Sequence, residues 1–154
     1  MVGIPLALGV EISPVRALVQ GGGPAMRMSA KSFRKALDAS EPLQRDLLRY
    51  TYGLMAQITQ TAACNRFHVV EARLARWLLM TRDRVGSAKF RLTQEFLSHM
   101  LGVRRVGVTH AASALQRRGL IDYERGNIRI VDNAGLEAAA CSCYRLVRQR
   151  AAGA

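Results

Sequence analysis

The chain has 154 residues, of which 49% are hydrophobic and 22% are charged, so it is long and apolar enough to fold around a core of its own. Its 23 lysines and arginines against 11 acidic residues give a net charge of +12, which indicates an anionic partner. Three cysteines are too few for a disulfide framework, and the longest apolar stretch, residues 2–10, is too short and interrupted for a membrane span or a signal peptide. We therefore expect a soluble protein of the cytoplasm with no membrane association.

The beginning of the chain predicts short strands. Residues 14–19 alternate and are rich in β-branched side chains, Gly21 to Pro24 predict a turn, and residues 25–28 predict a second strand. Two strands are only marginally stable by themselves in water. Either another element packs on them, or they are the end of a larger sheet whose beginning is missing.

Two helices are predicted next. Ser29 is a suitable cap for a short one, and Ser40 caps a long one that continues without a break to about residue 63. Apolar side chains form two stripes on the long helix between Leu43 and Ala62. One stripe can pack on the N-terminal segment while the other faces a second copy of the helix, as in a coiled-coil dimer. A single wide face in a monomeric core is the alternative.

A third helix is predicted over about residues 68–84, and a short strand follows at residues 90–92. The apolar residues of the helix fall on one face. Its arginines Arg73, Arg76 and Arg82 fall elsewhere, so we expect them to face water.

The next segment predicts two short helices joined by a tight turn. Thr93 begins the first, which stops at Gly102, and the second begins near Arg104 and stops at Gly119. This order is the helix-turn-helix unit. The outer face of the second helix carries hydrogen-bond donors and no carboxylate: Arg105, Thr109, His110, Ser113 and Arg117. Such a face suits an element that enters the negatively charged groove of double-stranded DNA.

A hairpin is predicted directly after these helices. Residues 120–123 and 128–131 alternate on either side of a turn that contains Arg125 and Gly126. A hairpin in this place is a wing, and Arg125 at its tip could reach a phosphate. A small α+β domain whose arginines are merely solvated is the alternative, but the basic excess coincides with a geometry suited to a groove.

At this point the sequence resembles a known family. The stretch from residue 92 to residue 131 resembles the winged helix of the Crp/Fnr transcription regulators in three segments: Leu92–Leu97, Leu101–Arg105 and Gln116–Ile121. Upstream, residues 71–79 resemble the helix that leads into that domain, and residues 41–63 match the family's dimerisation helix. Residues 1–36 resemble only the last strands of its cyclic-nucleotide-binding-type barrel.

The resemblance implies an α+β, mainly helical fold. Its three parts would be a remnant of the β-barrel at residues 1–38, a dimerisation helix at residues 39–66 and a winged helix-turn-helix domain at residues 67–154.

Residue roles also follow from the resemblance. Arg105 takes the place of the family's base-reading arginine, whose natural partner is the edge of a guanine. Phosphate and groove contacts are implied for its neighbours: Arg104, Thr93, Gln94, Thr109 and His110. Many members carry glutamate and then serine or threonine where this chain has Val106 and Gly107, so we expect a different target sequence.

At the position of the family's ligand site, this sequence differs more strongly from the family pattern. Glu11 and Ile12 fall where cyclic-nucleotide binders carry an arginine and a serine or threonine. Because Glu11 would repel a phosphate, cyclic AMP binding is not expected.

The remaining residues predict neither a cofactor nor catalysis. A last helix is predicted from about residue 134 to residue 149, with Cys143 in its buried stripe and Cys141 outside it. Three scattered cysteines fall short of the four ligands of an iron–sulfur cluster, and the three histidines show no metal spacing with one another. No nucleophile with a nearby base, phosphate loop or pair of carboxylates is evident, so we expect no metal, no cofactor and no enzymatic activity.

The leading hypothesis is a sequence-specific transcription regulator that reads an inverted repeat in DNA as a homodimer, with RNA polymerase as a further candidate partner. Two alternatives stay open: a truncated partner that only dimerises, and a winged helix that binds nucleic acid through charge alone. The first is tested by whether the purified chain forms a homodimer by itself. The second is tested by whether its DNA binding prefers one sequence or depends on salt concentration alone.

Overall fold

The computed structural model describes residues 1–17, 19 and 23–152, and within them it contains eight helices and one three-stranded sheet. The mainly helical α+β fold is therefore confirmed. In chain order the elements are α1 (Ile4–Ala7), α2 (Ala30–Asp38), α3 (Glu41–Phe67), α4 (Val70–Val85), β1 (Lys89–Arg91), α5 (Gln94–Leu101), α6 (Arg105–Arg117), β2 (Ile121–Glu124), β3 (Asn127–Ile130), α7 (Asn133–Ala139) and α8 (Cys143–Ala152).

The chain forms two compact units, Met1–Ala56 and a larger one that begins at Gln57, and α3 runs through the point of division. The division of the sequence at residues 38 and 66 stays a prediction. Within the described part of the chain, every helix is either too short or too polar to span a lipid bilayer.

The first unit contains α1, α2 and the first part of α3. Ser29 caps α2 as predicted, because its Oγ accepts a hydrogen bond from the Ser32 backbone N–H at 3.1 Å. The strands predicted at residues 14–19 and 25–28 are wrong for the described residues, which are exposed and form no ladder with any other segment. A strand needs a partner, and none of the described residues between α1 and α2 provides one. Leu18, Gly21 and Gly22 of these predictions lie outside the described residues.

The long helix α3 begins after Ser40, as predicted, and the Leu43 backbone N–H donates to the Ser40 Oγ at 3.4 Å. It ends at Phe67, one turn beyond the predicted end. Three large apolar side chains at positions i, i+4 and i+7 of its first half are exposed: Leu48, Tyr52 and Met55. We call these three residues the α3 stripe.

The second unit is built around α4, which packs against α5, α6, α7, α8 and β1. Leu74 and Leu78 of this helix are fully buried. The expectation that Arg73 and Arg76 face water is wrong, since they are only 5% and 2% exposed. A helix surrounded by five elements buries more than one face, so the apolar stripe does not mark its whole buried surface. Arg73 donates from Nη2 to the carbonyl oxygen of Leu101 at the end of α5.

At the end of α4, Asp83 joins α4 to α8. Arg82 donates to its Oδ1 at 2.5 Å, and the Tyr144 hydroxyl donates to its Oδ2 at 2.8 Å. Burial by itself would raise the pKa of Asp83, but these two hydrogen bonds favour the carboxylate and hold the pKa below its ordinary value. The folded state therefore keeps the charge to lower pH than the unfolded chain does.

Replacement of Asp83 by asparagine is expected to lower the free energy of unfolding at neutral pH. The carboxylate stabilises the wild type fully above about pH 5, and this contribution is lost as the pH falls through the lowered pKa of the folded state. The two proteins should therefore converge in acid, which urea unfolding between about pH 7 and pH 3 measures. A constant difference over that whole range would contradict the role given to the carboxylate.

The sheet has the strand order β1-β3-β2, with both pairings antiparallel. Its central strand places Ile128 opposite Phe90 on one side and Tyr123 on the other. The hairpin predicted after the helix-turn-helix is thus present as β2 and β3. Its turn consists of Arg125 and Gly126, which have φ angles of 50° and 85°, as a two-residue type I′ turn requires.

The last helix of the sequence prediction is in fact two helices, because the chain leaves the helical conformation at Ala140 (φ −72°, ψ 150°). The Cys141 backbone N–H donates instead to the carbonyl oxygen of Ala72 on α4, at 3.4 Å. This break carries Cys141 into the interior. The prediction that Cys141 lies outside the buried surface is therefore wrong, whereas Cys143 is buried as predicted.

Candidate nucleic-acid interface

Helix α6 is held by its inner face, so that its outer face is free for contacts. Val108, Ala112 and Leu115 on the inner face are buried, and α6 packs on α4 and α5 through it. Gly102 ends α5 with a φ of 60°, a conformation that glycine adopts without strain, and α6 begins three residues later. Thr93 caps α5 by accepting from the Phe96 backbone N–H at 3.1 Å.

The predicted reading residue Arg105 lies at the first position of α6 and is exposed. Its Nε approaches the Gln94 Oε1 to 3.5 Å, and the Thr109 hydroxyl donates to the same oxygen at 2.9 Å. Gln94 at the start of α5 thus touches two residues one turn apart on α6. The structure brings together these three of the predicted site residues, and Arg105 remains exposed.

A cleft of about 320 Å³ separates this group from the wing, and its lining includes Thr93, Gln94, Arg105, Tyr123 and Arg125. The Tyr123 hydroxyl donates to the carbonyl oxygen of Leu92 at 2.9 Å. Burial raises the pKa of Tyr123, and the nearby charge of Arg105 opposes the rise. The tyrosine is therefore neutral, and the cleft takes its charge from the two arginines.

The other predicted residues lie farther along α6 or at its edges. Arg104 precedes the helix and Arg117 ends it, and both are exposed, whereas Ser113 is half-buried. Because 13 residues of helix span about 20 Å, these two arginines cannot meet one ligand group. His110 is exposed and lines a separate groove with Val70 and Glu71 of α4.

Several arginines near this surface are already paired. Arg118 contacts Glu71 at 2.6 Å, and Arg129 contacts Asp122 at 3.1 Å. Within the described residues, Arg104, Arg105 and Arg117 have no acidic partner within salt-bridge distance. The fourth predicted arginine, Arg125, lies 3.9 Å from Glu124. Three of the four predicted site arginines are therefore available to pair with an anionic ligand.

Two side chains at this surface were not among the predicted site residues. Val106, which the sequence analysis treated only as a departure from the family, is exposed on the outer face of α6. Tyr123 lines the wing cleft. Helical spacing from the buried Val108 and Leu115 predicts that Val106 faces outward. The position of Tyr123 in the cleft depends on how the wing packs on the rest of the domain, which no local sequence signal gives.

A second cluster of polar side chains lies elsewhere in the same unit. Cys64, His68, Cys141 and Cys143 place one sulfur or ring nitrogen each within 4.8 Å of all the others. The expectation of scattered cysteines is therefore wrong, because α3 continues far enough to present Cys64 and the break after α7 turns Cys141 inward. Burial raises the pKa of Cys141 to about 12, and that of Cys64 is raised as well.

Comparisons with known proteins agree with this geometry. A family model described as a Crp-like helix-turn-helix domain matches residues 72–139. The sequence has no match among the curated proteins. Among solved structures, FixK2 from Bradyrhizobium japonicum is 19% identical with a TM-score of 0.67, over 73% of this chain and 59% of that chain.

Two other solved structures are similar. A protein assigned to the Crp/Fnr family of transcriptional regulators, from Eubacterium rectale, is 25% identical with a TM-score of 0.53, over 71% of this chain and 51% of that one. A transcriptional regulator of the CRP family from Thermus thermophilus is 23% identical with a TM-score of 0.58, over 66% of this chain and 55% of that one. The chain thus covers only 51% to 59% of these proteins. Residues 72–139 match the model of a Crp-like helix-turn-helix domain, and the chain shares its fold with these solved structures over 66% to 73% of its length.

Proposed function

We propose that the chain is a sequence-specific transcription regulator of the Crp/Fnr type, which binds an inverted repeat in double-stranded DNA as a homodimer in the cytoplasm. The observation that carries the proposal is the contact of Arg105 and Thr109 with Gln94. This contact lies on the exposed face of α6, whose other face is buried. A guanidinium held from one side offers its remaining N–H groups in a fixed direction, as bidentate recognition of a guanine requires.

The other residues of the surface fit two further kinds of contact. Val106 is an exposed apolar side chain beside Arg105, and such a side chain can contact the methyl group of a thymine. Arg104 precedes α6, and the N-terminus of a helix suits a phosphate; Thr93 lies at the start of α5 in the same way. Base contacts would therefore come from the first two turns of α6, and phosphate contacts from its surroundings.

The α3 stripe supports the homodimer. Its three side chains repeat at the spacing of a coiled-coil seam and are exposed in the single chain. A dimer paired through α3 would carry two α6 helices, and dimers of this kind bind half-sites about 34 Å apart.

The experiment that tests the proposal is selection of bound duplexes from a randomised library by the purified chain at near-physiological salt. Enrichment of an inverted repeat with half-sites one turn apart is the expected result. Enrichment of a single half-site would contradict the dimer but leave the reading helix in place. Retention without any enriched sequence would favour the charge-only winged helix, and a stable dimer that retains no DNA would favour the truncated partner.

Replacement of Arg125 by alanine is expected to weaken binding to all sequences alike, because a residue at the tip of the wing contacts phosphate and not a base edge. The side chain is 90% exposed, so its loss should leave the fold intact. The slope of log affinity against log salt should fall in magnitude by about 1 for each half-site, and so by about 2 for a dimer on the full repeat. Titration of one specific and one unrelated duplex at several salt concentrations measures both effects.

Arg125→Lys is the matched control, since it has the same backbone strain as alanine but keeps the charge. It should retain the salt slope. A lysine variant as weak as the alanine variant would indicate that the contact depends on the arginine fork and not on charge.

A further inference from the structure

We propose that Cys64, His68, Cys141 and Cys143 form a closed zinc site that joins the end of α3 to the break between α7 and α8. The site lies outside the proposed DNA-binding surface and does not depend on it. None of its residues takes part in the proposed reading of DNA.

The distances fit one tetrahedral ion. With zinc–sulfur bonds of about 2.3 Å and a zinc–nitrogen bond of about 2.0–2.1 Å, tetrahedral angles place two sulfurs about 3.8 Å apart and a sulfur and a nitrogen about 3.6 Å apart. Here the sulfurs of Cys64 and Cys141 are 3.5 Å apart, and the Cys143 sulfur lies 3.6 Å from the His68 Nδ1. Two pairs of ligand atoms thus already have separations close to the tetrahedral values, and all four atoms lie within 4.8 Å of one another.

The local structure explains how the four ligands converge. Cys64 and His68 are four residues apart, and the His68 backbone N–H donates to the carbonyl oxygen of Cys64 at 3.1 Å, so the helical turn that joins them is intact. Residues i and i+4 share one face of a helix. Cys141 lies in the non-helical break and Cys143 is the first residue of α8, and this change of conformation lets both thiols reach the same cluster. Each segment therefore contributes two ligands.

Neighbouring side chains provide what a thiolate-bound ion needs. The Gln60 Nε2, one turn before Cys64, donates to the Cys143 sulfur at 3.0 Å and so fixes its orientation. Arg76 is a buried cation, and within the described residues neither its Nε nor its Nη1 has a hydrogen-bond partner. Its charge acts directly on the sulfur of Cys64.

The charge of Arg76 points to an anionic site. An unpaired cation in the interior strongly destabilises a fold. Three thiolates, one neutral imidazole and Zn²⁺ carry a net charge of about −1, which would balance the guanidinium. Binding releases the three thiol protons to solvent, so the charges balance without a redox step.

The chemistry of the ligand set selects zinc and a structural role. Three thiolates and an imidazole in tetrahedral arrangement are a ligand set of structural zinc sites. With four protein ligands no position is left for a substrate, so the site stabilises the fold and does not catalyse. A disulfide between Cys64 and Cys141 is the competing chemistry, because their sulfurs are close, but it would leave Arg76 without an anion.

The test uses the full chain, purified under reducing conditions. Elemental analysis should find one zinc per chain, and the protein stripped by a chelator should take up one Co²⁺ with the visible absorption bands of tetrahedral thiolate coordination. Ser142→Ala, which changes the residue between two ligands, should bind one zinc as the wild type does. Cys143→Ser should lose stoichiometric zinc, and His68→Cys should keep it but shift the cobalt bands.

If Cys143→Ser does not fold, the wild type and His68→Cys still decide the question. A stripped wild type that takes up neither zinc nor cobalt in reducing buffer would overturn the proposal. Iron in place of zinc, or a Cys64–Cys141 disulfide with no metal uptake after reduction, would also overturn it.

Discussion

Replacement of Arg105 by alanine is expected to abolish the preference for one base pair in each half-site. Alanine removes the guanidinium that Gln94 orients from one side, and with it the N–H groups that would bind the O6 and N7 of a guanine. One such bidentate contact is worth about 1–3 kcal/mol, so the variant should bind the selected site roughly 5- to 150-fold more weakly per half-site. Its affinity for unrelated DNA should change far less, and competition titrations against single-base variants of the selected site measure the difference.

Two control variants distinguish base recognition by Arg105 from the general effect of its positive charge on DNA affinity. Arg105→Lys keeps the charge but not the planar fork, so it should lose most of the preference while keeping the salt dependence. Arg117→Ala removes one charge from the other end of α6 and should keep the preference. Full sequence preference in Arg105→Ala would show that α6 is not the reading element.

Replacement of Leu48 by lysine is expected to separate the dimer and, with it, to remove tight binding to the inverted repeat. Leu48 is 63% exposed in the single chain, so lysine is tolerated there, but two lysines facing each other in a helix pair would repel. Linkage of two binding units raises affinity by about 10² to 10⁴ over one unit. The variant should therefore bind the full repeat weaker by a factor of that order, while its affinity for an isolated half-site is unchanged.

Asp46→Lys is the matched control, because Asp46 is exposed two residues away and so points to the opposite side of α3. It adds more positive charge than Leu48→Lys and should keep both the dimer and the affinity. Sedimentation equilibrium gives the oligomeric state of each protein. A Leu48→Lys variant that remains a dimer would place the interface elsewhere.

The helix-turn-helix and the wing were predictable because each depends on local signals. Thr93 caps one helix, Gly102 ends it, and the Arg125–Gly126 turn pairs the strands on either side, and all three signals lie within a few residues of their effect. The predicted strands before α2 failed for the opposite reason. Alternation at residues 14–19 is a local signal, but a strand forms only where a distant segment supplies its partner.

The buried arginines and the cysteine cluster depend on tertiary structure in the same way. Arg76 is buried because α4 is surrounded, which its own sequence does not reveal. A single helix was predicted over residues 134–149, so the break at Ala140 that turns Cys141 inward was not predicted. The sequence nevertheless contains a signal, since Cys64 and His68 are four residues apart and Cys141 and Cys143 are two apart, but only the tertiary structure brings the two pairs together.

The wing turn has a thermodynamic consequence. Arg125 has a φ of 50°, a conformation that costs a residue with a β-carbon about 1–2 kcal/mol and that asparagine or glycine adopts more easily. The chain thus gives up stability at a residue of the hairpin turn whose side chain is 90% exposed. Arg125→Asn should make the free protein harder to unfold while its complex with DNA becomes easier to dissociate, so selection for thermal stability alone would remove the arginine.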